Sequence, residues 1–203
     1  KYSIRTVSKE KYGDMNLNKR SKVNLKRDLE VKSLIVFGKS DKISAKSIGN
    51  KAKNFATLQH LSKTANFKVP ESAFAIPFYF YDEHIKSSKT DKLIEQFLTD
   101  YKNKKDSIDI KIRLKEIRKT ITGSPINLEL ITAVNRQIKQ LGEYKRFRFR
   151  SSTNAEDMEG CGGAGRYTAK TGSGGDSTKT IEKAIKKVWA SLWNLQAFNE
   201  RAY

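Results

Sequence analysis

Residues 146–150 alternate arginine and phenylalanine, and this alternation is the chain's first candidate for chemistry. In a β-strand successive side chains point to opposite faces, so Phe147 and Phe149 can enter a core while the three arginines share the other face. Three cations on one face repel each other unless an anion lies across them. The pattern indicates an anion-binding strand, although an exposed edge strand with solvated arginines would show the same alternation.

A hydroxyl-rich and then glycine-rich segment, "SSTNAED" followed by "GCGGAG", comes soon after this strand. Glycine has no Cβ and accepts positive φ, so consecutive backbone N–H groups can converge on phosphate oxygens. Glycine-rich loops are also common as simple turns, and the segment matches neither G-x-x-x-x-G-K-[ST] nor G-x-G-x-x-G after a strand. The arginine strand and the glycine segment together predict a phosphate site.

The composition allows a folded domain with a strong positive field. The chain has 203 residues, 37% of them hydrophobic, and a formal net charge of +19. Such a charge favours nucleic acid, nucleotides, phosphorylated metabolites or an acidic surface as partners. A solvated, lysine-rich surface would give the same number, so the charge alone identifies no partner.

Several classes of protein are disfavoured by what the sequence lacks. No apolar run approaches the roughly 20 residues that span a bilayer, and the first twenty residues contain no apolar core of a secretory signal. A single cysteine, Cys161, excludes an internal disulfide and a cysteine-based zinc site. His60 and His84 are too few for a histidine-rich metal site. We therefore expect a reducing, cytoplasmic setting without a membrane partner.

The elements that must position these residues alternate between strands and helices. The run 33–37 reads as a buried strand, and a helix follows the turn at Gly49 and Asn50. The aromatic segment 67–85 reads as β-rich, and helices are predicted over 90–101, over 107–120, after an Asn127 cap and over the tryptophan-containing C-terminal segment. This order predicts an α/β (α+β) domain with a mixed sheet and flanking helices, spanning residues 31–203 after a linker or extension at 1–30.

The spacing of apolar residues predicts which helix faces are buried. The helix over 107–120 would use Ile108, Ile112 and Ile117. The next helix would use Leu128, Ile131, Val134, Ile138 and Leu141, and the last would use Ile185, Val188, Trp189 and Leu192.

Four segments carry a resemblance to a known family. "RFRSSTNAEDMEGCGGAG" and "IEKAIKKVWASLWNLQAF" resemble motifs of the N-terminal nucleotide-binding domain of phosphoenolpyruvate synthase and pyruvate phosphate dikinase. "SIGNKAKNF" is similar to the family's "GGKAANL" element, and "KVPESAFAIP" to its "VPPGFAIP". The four occur in the family's order between Gly49 and about Arg201, and residues 1–30 are not covered by the resemblance.

The resemblance implies roles for individual residues. Lys51 lies where the family has its ATP-phosphate lysine, and Arg150 matches the arginine of the family's "RSS" element. Gly163, Ala164 and Gly165 match the loop over the phosphates, with Arg166 beside it. Glu156 and Asp157 match the family's "ED", and Ser151 and Ser152 would support the site. The resemblance assigns no role to Arg148, which is a supporting candidate because it should face the same side as Arg150.

The resemblance also implies the activity. The domain is of the ATP-grasp type, and the enzyme uses ATP and Mg²⁺ to phosphorylate a histidine on a separate domain, then pyruvate. No catalytic residue is expected in this segment, because neither histidine resembles the phosphohistidine motif. The remaining domains would be its partners and would supply most metal ligands beyond Tyr203, so we expect the segment alone not to turn over. Asn50 departs from the family's glycine, and "GCGG" departs from its usual loop.

Two other functions fit the residues. A nucleic-acid-binding basic module would use the same arginines on phosphodiesters, although the chain lacks the aromatic, helix-turn-helix and zinc patterns of such modules. A degenerate relative would keep the fold for protein interaction only. Binding of Mg-ATP in preference to polyanions, and its loss on changing Lys51 and Arg150, would separate these from the nucleotide site.

Overall fold

The computed structural model of the chain describes residues 26–38, 43–70, 72–103, 109–141, 146–154, 168–173 and 178–201. Within them a helix-rich fold carries two small sheets, so the α/β (α+β) prediction is confirmed. The elements in chain order are β1 Ile35–Val36, α1 Ala45–Ile48, α2 Asn50–Leu61, β2 Phe74–Ala75, α3 Phe78–Ser87, α4 Thr90–Asn103, α5 Ile110–Gly123, α6 Leu128–Gln140, β3 Phe147–Phe149, β4 Lys170–Gly172, α7 Ile181–Ala190, a 3₁₀ turn Ser191–Trp193 and α8 Leu195–Arg201.

Both sheets are antiparallel pairs that join distant parts of the chain. In the first, Ile35 of β1 lies opposite Ala75 of β2. In the second, Phe147 and Phe149 of β3 lie opposite Gly172 and Lys170 of β4. The second pairing places the arginine strand beside the segment that leads into α7, which also contacts both strands.

The segment 67–85 corrects the prediction of a β-rich stretch. Only Phe74 and Ala75 pair as a strand, and α3 begins directly after Pro77, which has φ −62° and ψ 156°. Proline suits this position because its φ is already close to helical and the helix start needs no N–H there. Phe80, His84 and Ile85 then share the buried face of α3. Helical burial of these side chains outweighs the β-propensity of the aromatic run.

The largest core cluster lies among α3, α4, α5, α7 and α8. Phe97, Leu114, Ile117 and Ile121 are at most 1% exposed at its centre. The predicted helix over 107–120 is present as α5, with Ile117 buried as predicted, whereas Ile112 is 62% exposed and its predicted burial is wrong. Ile108 lies outside the described residues. Asp109 caps α5 by accepting from the backbone N–H of Ile112, which fixes where the first turn begins.

The predicted cap at Asn127 is confirmed, because its side chain accepts from the backbone N–H of Leu130. Leu130 and Val134 of α6 are buried in a second core cluster with Ile181 and Ile185 of α7. Leu128 is 77% exposed, so its predicted burial is wrong. The predicted C-terminal helix is shorter than expected, since α7 ends at Ala190 and continues as the 3₁₀ turn.

Residues 26–28 contact the domain at three places. The Asp28 N–H donates to Lys46 O at 2.9 Å, Arg27 pairs with Asp82 at 3.7 Å, and Asn154 donates to Lys26 O at 3.2 Å. None of the helices in the described ranges has the length and apolar character needed to cross a bilayer.

His84 gives the fold a predicted pH dependence. It is 2% exposed, and its Nε2 lies 2.9 Å from Ile121 O, so the neutral ring donates there. Its Nδ1 is buried and has no hydrogen-bond partner in the described ranges. Burial is the main cause that lowers the pKa of His84, and the Lys186 charge adds to it, while the Ile121 bond, Glu83 and Glu182 oppose it.

A lowered pKa means that the unfolded chain binds a proton which the folded chain resists. The stabilisation is present above about pH 6.5, the unfolded histidine pKa, and is lost as the pH falls from there through the lowered folded pKa. We expect the free energy of unfolding to fall between pH 7 and 5, by at most about 1.4 kcal/mol per pH unit from this residue. His84→Gln keeps a donor for Ile121 O and should flatten that slope in denaturant titrations. An unchanged slope in His84→Gln would contradict the assignment.

Candidate functional site

The loop after the arginine strand binds the first turn of α2. Ser152 Oγ accepts from the backbone N–H of Ala52 at 2.9 Å, across 100 residues of sequence. The backbone N–H of Asn50 donates to Thr153 O at 3.2 Å. The first N–H groups of a helix have no partner within it, and Gly49 at the N-cap offers no side chain. Ser152 therefore acts as the missing cap from a distant part of the chain.

Gly49 is the residue that allows this close approach. Its φ is 85° and ψ 162°, a conformation that residues with a Cβ rarely adopt. A Cβ at this position would lie 2.5 Å from Ser152 Oγ, 2.6 Å from Ser152 C and 2.7 Å from Ser152 O. The glycine is thus required both by its backbone conformation and by the space that Ser152 occupies.

The contact between α2 and the loop brings the two main predicted site residues to one cavity. Lys51 in the first turn of α2 and Arg150 at the end of β3 both line a cavity of about 830 Å³. Both side chains are exposed, as are Arg146 and Arg148, which line the same cavity. Its volume lies in the range of pockets for small molecules and cofactors.

The cavity combines a cationic opening with an apolar interior. Four cationic side chains, those of Lys51 and the three arginines, line it, and the described lining residues include no carboxylate. The other lining residues are mainly apolar, although Ser72 and residues 151–153 add hydroxyl groups. The α7 side chains among them are Trp189 and the buried Ile185 and Val188. Such a cavity can hold a ligand that has an anionic end and a flat or apolar end.

The predicted alternation along the arginine strand is confirmed. Phe147 and Phe149 are half-buried and pack against the second core cluster, while Arg146, Arg148 and Arg150 are exposed. Of the three, Arg148 donates to Thr171 Oγ1 of β4 at 3.2 Å.

Two backbone donors at the N-terminus of α2 already have partners, although helix N-termini commonly bind anions. The N–H groups of Asn50 and Ala52 are bound by Thr153 O and Ser152 Oγ. An anion near Lys51 would therefore meet its ammonium group and the arginines rather than these two backbone donors. Ser151 is 8% exposed and also lines the cavity, so both predicted serines lie at the site.

The other predicted positions lie outside the described residues. These are Glu156, Asp157, Gly163, Ala164, Gly165 and Arg166. In the part of the chain that the structure describes, no three His, Cys, Asp or Glu side chains are grouped as a metal site.

Two further lining residues were missed by sequence reasoning. Thr153 binds α2 through its carbonyl oxygen, and its Oγ1 is buried without a hydrogen-bond partner among the described residues. The Tyr81 hydroxyl accepts from Trp193 Nε1 at 2.9 Å, and burial raises the pKa of Tyr81, which keeps the phenol neutral. Thr153 follows "RSS" directly, so its position next to that motif was the available signal. No such sequence signal pointed to Tyr81, because its segment was assigned to strands.

The cap at Ser152 gives a direct prediction about stability. Ser152→Ala leaves the Ala52 N–H without its side-chain acceptor and should lower the free energy of unfolding by about 1 kcal/mol. Ser62→Ala, at the other end of α2, removes a hydroxyl that bonds Gln59 O and should change it by less than about 0.5 kcal/mol. Chemical denaturation of both variants beside the unchanged chain measures the difference. Equal, small effects would show that the Ser152 bond does not hold the loop to α2.

Comparison with known families agrees with this arrangement. The family model described as "Pyruvate phosphate dikinase, AMP/ATP-binding domain" matches residues 45–203. Searches of curated proteins and of solved structures gave no match. The matched range begins at α1 and includes Lys51, the arginine strand and α7, the elements that form the cavity. The chain belongs to the AMP/ATP-binding domain family of pyruvate phosphate dikinase.

Proposed function

We propose that the cavity lined by Lys51 and Arg150 binds ATP, as the nucleotide site of a phosphoenolpyruvate synthase-like dikinase. The observation that carries the proposal is the meeting of these two residues at one cavity, through the contact of Ser152 and Thr153 with α2. Residues 31–203 would form the first part of an ATP-grasp domain, in a cytoplasmic enzyme. That enzyme would phosphorylate a histidine on a separate domain and then pyruvate.

The two ends of the cavity suit the two ends of ATP. Lys51 and Arg150 would neutralise phosphate oxygens, and the forked donors of arginine suit oxygens that gain charge during phosphoryl transfer. The apolar walls beside Trp189 would accept the base. A phosphodiester backbone would use the cations but not this interior, so the cavity favours a nucleotide over nucleic acid.

Mg²⁺ would enter with ATP, as the counter-ion of its phosphates. The described lining residues include no carboxylate, so they do not form a metal site by themselves. Their contribution is the positive charge of Lys51 and Arg150 beside the phosphates.

Trp189 provides the test of nucleotide binding, because it lines the cavity. In a Trp193→Phe variant the remaining tryptophan is Trp189, and Mg-ATP should change its fluorescence saturably. Inorganic tripolyphosphate carries the charge but no base, and should change it little. A tripolyphosphate response equal to that of Mg-ATP, or no response to Mg-ATP, would contradict a nucleotide in this cavity.

Identifying the phosphoryl acceptor requires the enzyme that includes the domain with the phosphorylated histidine. ATP labelled in its phosphoryl groups should label a histidine, and pyruvate should discharge that label. Discharge by another acceptor, but not by pyruvate, would overturn the pyruvate assignment and leave the ATP site standing.

A further inference from the structure

A second cleft lies on the opposite side of α7 from the nucleotide cavity. It has a volume of about 530 Å³ and is formed by α5, the start of β4, α7 and the 3₁₀ turn. It shares no lining residue with the first cavity. Lys187 and Ala190 of α7 line it, whereas Ile185 and Val188 line the other, and these pairs lie on opposite faces of a helix with 3.6 residues per turn.

Positive charge is concentrated in this cleft. Lys115, Arg118 and Lys119 of α5 line one wall, and Lys170 and Lys187 line the other sides. No carboxylate occurs among the described lining residues. We call these five residues and the space between them the basic cleft.

The lysine-rich composition alone does not explain this concentration, because both helices keep their carboxylates away from the cleft. On α5, Glu116 pairs with Arg113 at 3.4 Å, and on α7, Glu182 pairs with Lys186 at 2.7 Å. The four lysines of the basic cleft form no ion pair with any described residue. The cations on the two walls therefore repel each other without a counter-charge from the described chain.

The floor of the basic cleft is fixed by hydrogen bonds. Arg118 donates to Trp193 O at 2.6 Å, which ties the guanidinium to the 3₁₀ turn. Ser191 Oγ donates to Val188 O at 2.7 Å and accepts from the Thr168 N–H at 3.2 Å. The walls that carry the lysines are thus held together, so an anion would find the charges already assembled.

We propose that the basic cleft binds a small anion with several phosphate groups. Five cations around one compact space suit a multivalent anion better than a single carboxylate. No aromatic ring occurs among the described lining residues, so these residues offer a base no stacking surface of the kind that single-stranded nucleic acids use. The ligand class is a polyphosphate chain or a multiply phosphorylated small molecule, and the inference does not depend on ATP binding at the first cavity.

The test compares two triple variants with equal loss of charge. The cleft variant carries Lys115→Gln, Lys119→Gln and Lys187→Gln, and the control carries Lys63→Gln, Lys92→Gln and Lys139→Gln. All six lysines are exposed, and the control three line neither cavity. Both sets are made in Arg150→Ala protein, so that the opening of the first cavity contributes less to anion binding.

Calorimetric titration with inorganic tripolyphosphate at fixed ionic strength gives the result. The cleft variant should bind about tenfold or more weakly than the control. Without ligand at low salt, its melting temperature should also lie above that of the control, because repulsion has been removed. Equal affinities in the two variants, or RNA binding tighter than tripolyphosphate with the same loss in the cleft variant, would overturn the proposal.

Discussion

Gly49→Ala is expected to lower the free energy of unfolding by about 3 kcal/mol or more, the largest effect of any single substitution discussed for this chain. Two causes add. The alanine would have to adopt φ 85°, which residues with a Cβ rarely do. Its Cβ would also lie within 2.7 Å of three atoms of Ser152, two of which belong to the backbone. Because the backbone cannot rotate away as a side chain can, the loop after β3 must move.

Gly38→Ala separates the two causes. Gly38 has φ 80°, but an added Cβ would have no atom within 4 Å. Its substitution should therefore report backbone strain alone, at about 1 to 2 kcal/mol. Chemical denaturation of both variants gives the comparison. If Gly49→Ala were no more destabilising than Gly38→Ala, the close contact between α2 and the loop would not exist in solution.

The same contact predicts non-additivity. If Gly49→Ala displaces the loop, the Ser152 hydrogen bond to Ala52 is already lost. Adding Ser152→Ala should then cost much less than its value of about 1 kcal/mol in the unchanged chain. Full additivity in this double-mutant cycle would show that the loop stays bound to α2 despite the substitution.

Arg150→Ala should weaken Mg-ATP binding by about 10- to 100-fold, since a hydrogen bond between charged groups contributes about 1.5 to 3 kcal/mol. Arg150 is exposed at the end of β3 and lines the cavity, so its removal takes charge from the opening without leaving a hole in the core. Arg136→Ala is the matched control, because it removes an exposed arginine from α6 that does not line the cavity.

The Mg-ATP affinity of both variants is measured by titration followed through Trp189 fluorescence at one salt concentration. Equal weakening by Arg150→Ala and Arg136→Ala would mean that ATP responds only to the net charge of +19. It would then not be held at the proposed opening.

Local periodicity predicted the arginine strand well because the information lies within five residues. Alternation places Phe147 and Phe149 toward the core whatever the rest of the chain does. The buried faces of α5 and α6 were predicted less well. At about 100° per residue Ile112 and Ile117 lie roughly 140° apart on α5. They therefore do not share a face, and of the two only Ile117 is buried. Leu128 is the first residue of α6 and is exposed.

Long-range features could not be read from spacing. Ser152 caps a helix 100 residues away, and nothing near either segment indicates that partner. That Lys51 and Arg150 share a cavity followed from family resemblance, not from the residues themselves. The aromatic residues of α3 were assigned to strands because β-propensity is local, whereas their helical burial depends on Trp189 and the neighbouring helices.

Nucleotide binding at the first cavity can be measured by calorimetric titration of Mg-ATP into the unchanged chain, Lys51→Ala and Lys53→Ala at one salt concentration. The two lysines lie on the same turn of α2, and only Lys51 lines the cavity. We predict saturable one-to-one binding in the unchanged chain, weakened about tenfold in Lys51→Ala and unaltered in Lys53→Ala. Absence of saturable binding in the unchanged chain, or equal affinities in the two variants, would contradict a nucleotide site at this cavity.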